Sequence, residues 1–313
     1  MIEYFRTDEQ TKTLIKLESE QPGCWIALFN PTQEELDIIS NQFDIDEDDI
    51  RAPLDLEEIS RIERNQNYTM FIVDTPFIEG THGESAFKTI PIGIYETPSH
   101  VISVCSVYRI PIIARLKKQR NDLHDTRNVK RFTCDILLAS SEAYFALLQT
   151  LNRKRQELSS VVTKPSRKDL EELYALDASI VYLKTSLTTN DTVFERYRRF
   201  VLTAHDQETI ELFEDVVIEN KQALETTKIY SEILDSTIDH FGLLMDSDLN
   251  RTMQLVATLT LILCIPTVIG GMFGMNVGGI PLAETPCGFA IITGATVLLL
   301  VGVLLLLKKL RWF

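Results

Sequence analysis

The sequence predicts an α+β protein whose amino-terminal region is α/β and whose carboxy-terminal end is a two-helix membrane hairpin, the two joined by one long helix. Three observations carry this. Before residue 110, short β-branched and aromatic runs alternate with turn residues. From Asp206 to Phe273 there is no proline until Pro266, and Gly242 is the only glycine before it. Met253 to Phe273 and Cys287 to Leu307 carry no charged residue. Each is about 20 residues long, the length that crosses a ~30 Å hydrocarbon core.

Taken in order, residues 1–110 read as a cytoplasmic α/β domain. Met1-Ile2-Glu3-Tyr4-Phe5-Arg6 opens without the apolar run of a signal segment. Cys24 to Asn30 is a short apolar strand. Pro31-Thr32 then starts a helix with Gln33, Glu34 and Glu35 in its first turn. A second helix is expected near Asp46, where Glu47, Asp48 and Asp49 suit the positive end of the helix dipole. Tyr68–Val73, Lys88–Tyr95 and Val101–Val107 form three antiparallel strands, separated by Gly80-Thr81-His82-Gly83 and Thr97-Pro98-Ser99 turns.

Residues 111–205 are helical. Two long patterns, 127–160 and 168–203, are broken at Thr163-Lys164-Pro165-Ser166. Arg153-Lys154-Arg155 and Arg198-Arg199 fit solvated helix faces. No Gly-rich phosphate loop, nucleophile elbow or H-E-x-x-H occurs in the sequence, so nothing points to an enzyme. His82, His100, His124, His205 and His240 are isolated, and surface or structural roles are expected of them. Cys24, Cys105, Cys134, Cys264 and Cys287 are scattered and never paired as C-x-x-C, so neither a disulfide framework nor a structural zinc site is indicated. A net charge of −14 argues against nucleic acid as partner and suits a surface that concentrates cations.

Residues 206–252 form a stalk helix that runs on into the first span, 253–273, for roughly 100 Å at ~1.5 Å per residue. Pro266 frees a backbone carbonyl inside the span, tolerable where a cavity solvates it. The loop 274–286 carries Glu284 but no Lys or Arg, the second span is 287–307, and the tail 308–313 holds Lys308, Lys309 and Arg311 beside Trp312. The positive-inside rule therefore places both termini in the cytoplasm of a protein crossing the cell membrane twice.

Along the first span Asn250, Met253, Ala257, Thr260, Cys264, Thr267 and Gly271 step alternately by three and four, so they share one helix face. Apart from Met253 that face is small or polar. Leu255, Leu259, Leu261, Ile262, Leu263 and Ile269 around it are bulky and aliphatic. Toward the amino terminus the same stripe takes in Asp246 and Asp239. Small residues and the Gly270-x-x-x-Gly274 spacing fit helix packing. Acidic groups on a packed seam repel unless a cation or water lies between them. One helix cannot enclose a pore, so a polar stripe that lines one requires several copies about a common axis, a cyclic homo-oligomer.

Gly274-Met275-Asn276, closing the first of two terminal spans after a long acidic region and followed by the basic tail, resembles the signature of the CorA family of magnesium channels. The resemblance implies an αβα cytoplasmic funnel, a homopentamer embedded in the lipid bilayer, and a pore lined by the first span. It implies an outer selectivity filter at Gly274, Met275 and Asn276, with the Asn276 ring holding a hydrated ion. Mg²⁺ keeps several of its waters when bound, so neutral oxygens that hydrogen-bond to those waters suit the task. Counting back from Gly274 places Asp215 where the family has a metal-sensing carboxylate, with Glu214 beside it. On that reading intracellular Mg²⁺ gates the channel, Asp239 and Asp246 ring the cytoplasmic exit, and Val256 and Met253 form an apolar gate. After the tripeptide, Val277-Gly278-Gly279-Ile280-Pro281 departs from many magnesium channels and is similar to the ZntB branch, associated with zinc. Mg²⁺, with Co²⁺ as a further cargo, is the favoured ion and Zn²⁺ the alternative. A membrane-anchored scaffold without transport is the reading from another class.

Overall fold

A computed structural model of the chain describes residues 1–11, 13–79, 86–108, 111–118, 124–161, 165–202, 206–282 and 285–309. His82, the turn around it, Thr163, Lys164, His205, Glu284, Arg311 and Trp312 lie outside the described residues. The chain divides into two compact units, Met1–Asp239 and His240–Phe313.

The first unit is built on a seven-stranded sheet of order β2-β1-β3-β7-β6-β5-β4. Its strands are β1 (Ile2–Thr7), β2 (Leu14–Leu17), β3 (Trp25–Phe29), β4 (Arg61–Arg64), β5 (Thr69–Glu79), β6 (Ala86–Glu96) and β7 (Val101–Cys105). The expected antiparallel trio is β5, β6 and β7. β3 joins it by a parallel pairing with β7, Trp25 opposite Val101 and Phe29 opposite Cys105. Every residue of β3 is buried, as for a strand covered on both faces, which reads as a continuous apolar run. β1, β2 and β4 extend the sheet at its two ends. They carry Glu3, Arg6, Lys16, Arg61, Glu63 and Arg64, and these charges hide their period from a reading of hydrophobicity.

Both faces are covered, giving the αβα arrangement. On one side α1 (Gln33–Phe43) and α2 (Glu47–Arg51) pack through Leu36, Ile39 and Ile50 against Ile26, Leu28, Met70 and Val104. Their starts are set locally. Thr32 caps α1 in a capping box with Glu35, and the Asp46 side chain accepts from the Asp48 N–H at the head of α2. The other side is covered by α3 (Pro111–Lys118), α4 (Val129–Val161), α5 (Arg167–Val201) and the first part of α6 (Gln207–Phe273). Here Phe132, Ile136, Val193, Phe194, Tyr197, Phe213 and Val216 pack against Trp25, Phe71 and Ile94. Edge-to-face contacts from Phe71 to Tyr197 (4.5 Å) and from Tyr197 to Phe213 (5.3 Å) tie β5, α5 and α6 together. α3 lies in the region expected to be helical, ahead of its two long patterns. Ser166 caps α5 in a box with Asp169 where the sequence broke the helical pattern.

α6 is a single helix of 67 residues with Pro266 inside it, and the division between the units falls within it. The second unit contains its remaining turns and α7 (Gly288–Lys309). These are the two described helices long and apolar enough to cross a membrane.

Candidate functional site

In the second unit Asn250, Met253, Ala257, Thr260, Cys264, Thr267 and Gly271 are all exposed. A different stripe of the same helix is covered. Thr258 is buried and Gln254, Ile262, Ile265 and Ile269 are half-buried, at steps of four, four, three and four. On α7 Ile292, Thr296, Leu300, Val303 and Leu307 are half-buried at the same steps, the pattern of two helices packed along one side. At 3.6 residues per turn the two stripes of α6 lie roughly 140° apart. The small, polar edge is therefore not the one covered within the hairpin. The spacing of Gln254 and Thr258 was the available signal for the covered stripe, and apolar periodicity alone passed over it.

The threonines of the open stripe have a definite polarity. Thr260 Oγ1 donates to the Val256 carbonyl at 2.8 Å and Thr267 Oγ1 to the Leu263 carbonyl at 2.7 Å. With each hydroxyl proton committed to the helix, the oxygen lone pairs are what remains to be offered outward. A hydrated cation presents water hydrogens to its surroundings, so outward acceptors match it.

α6 ends at Phe273. The Gly274 N–H still reaches the Gly270 carbonyl at 2.9 Å, and the Met275 N–H reaches Met272 at 3.4 Å as the helix tightens and stops. Asn276 is exposed in irregular backbone, and its side chain makes no hydrogen bond among the described residues. Gly279 takes a left-handed φ of 90°. The loop returns against the head of α7, where Thr285 Oγ1 donates to the Leu282 carbonyl at 2.7 Å and the Gly288 N–H donates to the Thr285 carbonyl at 3.0 Å.

Asp239 and Asp246 are exposed, as are Val256 and Met253. In the first unit Glu214 is occupied: Arg198 Nη2 donates to its two oxygens at 2.6 and 2.7 Å. This pairing holds the Arg198 guanidinium above its ordinary pKa. Asp215, on the next position of the helix, is exposed and makes no ion pair among the described residues. Among those residues no group of three or more His, Cys, Asp and Glu side chains could hold a metal ion.

The family model for CorA-like Mg²⁺ transporter proteins matches residues 20–309. The cobalt/magnesium transport protein CorA of Methanocaldococcus jannaschii is 26% identical over 293 residues, 92% of this chain and 90% of that one. The complete structure of the magnesium transporter CorA from the same organism superposes with a TM-score of 0.83 at 24% identity, covering 100% of this chain and 99% of that one. The zinc transport protein ZntB of Pectobacterium carotovorum is 26% identical over 143 residues, 45% of this chain and 43% of that one. With the model matching from residue 20 to the last residue of α7, this chain belongs to the family of CorA-like Mg²⁺ transporter proteins.

Proposed function

We propose that several copies of this chain, five by resemblance to the family, surround a common water-filled path and conduct Mg²⁺ across the cytoplasmic membrane. The observation that carries the proposal is the open face of α6: its small and polar residues point away from the stripe covered in the hairpin. In a ring these faces meet, and the chain supplies successive girdles of Asn276, Thr267, Thr260 and Asn250 with acceptors turned inward. Asn276 holds the hydrated ion at the outer mouth, Met253 and Val256 close the path by excluding water, and Asp246 and Asp239 attract the cation at the inner end. Asp215, which makes no ion pair among the described residues and lies beside the occupied Glu214, offers hard carboxylate oxygens to a regulatory Mg²⁺ shared with a second copy. Losing that ion leaves like charges facing one another and favours the open state.

Magnesium uptake into proteoliposomes tests this. Wild type takes up Mg²⁺, Asn276→Ala loses selectivity or flux, and equal uptake by both removes the filter assignment. A zinc reading is favoured by Gly278-Gly279-Ile280-Pro281 together with the zinc-transporting relative. Competition of Zn²⁺ and Co²⁺ against Mg²⁺, with and without an imposed pH gradient, separates the two.

A further inference from the structure

The last turns of α5 and the early turns of α6 are joined by a ladder of charges. Glu195 and Arg198 lie three residues apart on α5, and Glu214 and Lys221 seven apart on α6, so each pair shares one face of its helix. Lys221 Nζ donates to Glu195 Oε1 at 3.0 Å. Arg198 grips the other acid with a fork: Nη2 donates to both oxygens of Glu214, at 2.6 and 2.7 Å, and Nε donates to Oε1 at 3.1 Å. Its Nη1 lies 3.8 Å from Glu195 Oε2. Forked, charge-assisted pairs of this kind hold their geometry where most exposed ion pairs do not.

The ladder is electrically balanced, two cations against two anions. Asp215 stands outside it. One residue on from Glu214, it sits roughly 100° further round the helix. There it is exposed and makes no ion pair among the described residues.

We propose, resting on the regulatory role given to Asp215 above, that Arg198 is a positioning residue for that site: by holding Glu214 against α5 it leaves Asp215 as the free carboxylate of the two, and so sets how much Mg²⁺ is needed to occupy the site. Mg²⁺ keeps most of its waters and is held by one or two carboxylates, so the number of free carboxylates decides the affinity. With the ladder closed, Asp215 alone faces the ion. With Arg198 removed, Glu214 is released to turn toward the exposed side, and the surface becomes one unit more negative. An extra unit charge a few Å from a divalent ion in a wet setting changes affinity by about three- to tenfold.

Thermal unfolding of the full-length protein in detergent, followed as MgCl₂ is raised, tests this without a transport readout, because an ion that binds the folded state raises Tm. Wild type should gain Tm with Mg²⁺, and Asp215→Asn should need more Mg²⁺ for the same gain. Arg198→Gln is expected to reach half the gain at about three- to tenfold less Mg²⁺, and Glu214→Gln, which leaves Arg198 unopposed beside Asp215, at about as much more. The double variant Arg198→Gln/Glu214→Gln restores the balance of charge and should return to the wild-type midpoint. A ladder that only held the helices together would shift both single variants the same way. Midpoints that do move the same way, or an Arg198→Gln midpoint equal to wild type while Asp215→Asn is displaced, overturn the role of Arg198 and leave Asp215 in place. A wild type without the gain, or an Asp215→Asn midpoint equal to wild type, removes the regulatory assignment itself and the role of Arg198 with it.

Discussion

Asn190 stands in for a missing strand, and removing its side chain should show how much of the first unit depends on that. β4 ends at Arg61 opposite Ile72, two residues short of Asp74. On the other side Asp74 faces Pro91, which has no N–H to give. The backbone of Asp74 is satisfied from α5 instead: its N–H donates to Asn190 Oδ1 at 2.9 Å, and Asn190 Nδ2 donates to its carbonyl at 2.8 Å. Tyr144 Oη donates to the same carbonyl at 3.0 Å, so Asn190→Ala orphans the N–H but not the C=O. An unsatisfied buried donor costs about 1–3 kcal/mol, and the void left by the carboxamide adds to it, for a total of about 2–4 kcal/mol. For a unit of this size each kcal/mol lowers Tm by about 2–4 °C, so a fall of roughly 5–12 °C is expected. The fluorescence of Trp25, fully buried with its indole N–H on Ser103, reports unfolding of the sheet in a Trp312→Phe background. A change below about 0.5 kcal/mol refutes the strand-substitute reading. Equal losses in Tyr144→Phe and Asn190→Ala would show that the carbonyl, not the N–H, is the group in need.

Three further outcomes follow from the same geometry. Burial raises Glu96 above its unfolded value, so the stability it lends is present below the unfolded pKa, about 4.3, and lost as pH rises through the folded one. Glu96→Gln should therefore gain on wild type from pH 4 to pH 8 in a denaturant titration, and a constant gap contradicts the assignment. A Cβ at Gly288 would lie 2.3 Å from the Leu282 carbonyl and 3.0 Å from Thr285 Oγ1, so Gly288→Ala should displace the outer loop while Gly294→Ala, in open space, should not. Proteolysis of the loop in vesicles distinguishes the two. Burial pushes the Cys105 thiol up to about 12 and encloses Cys24 and Cys134, whereas Cys264 and Cys287 are exposed. In detergent at pH 8 a thiol reagent should titrate those two in the native state and all five after denaturation.

Much of the architecture was legible because the strongest signals are local. The uncharged spans, the proline-free run up to Pro266, and the Thr32 and Asp46 starts of helices each follow from a few neighbouring residues. β1, β2 and β4 were not legible. Their charged side chains break the alternation, and they exist because long-range pairing completes a sheet, which no window around Arg61 or Lys16 reveals. The parallel β3–β7 pairing is of the same kind. At the candidate site the three-four spacing marks the open stripe, while the covered one carries only Gln254 and Thr258 as a polar signal among isoleucines that resemble the rest of the span. His124 and Asp135, which lie buried with Nδ1 and Oδ2 3.0 Å apart, are unremarkable in sequence, and their burial is a property of the fold.

The open stripe of α6 is tested most directly by thiol accessibility in reconstituted vesicles, using a cationic, membrane-impermeant methanethiosulfonate in a background lacking Cys287. Native Cys264, and cysteines placed at Thr260 and Thr267 once Cys264 is also replaced by Ala, are expected to react and to block Mg²⁺ uptake, whereas cysteines at Leu259 and Leu263 in that same Cys264-free background should do neither. Reaction at positions 259 and 263, with uptake untouched by modification at 260, 264 and 267, would contradict a water path along this face.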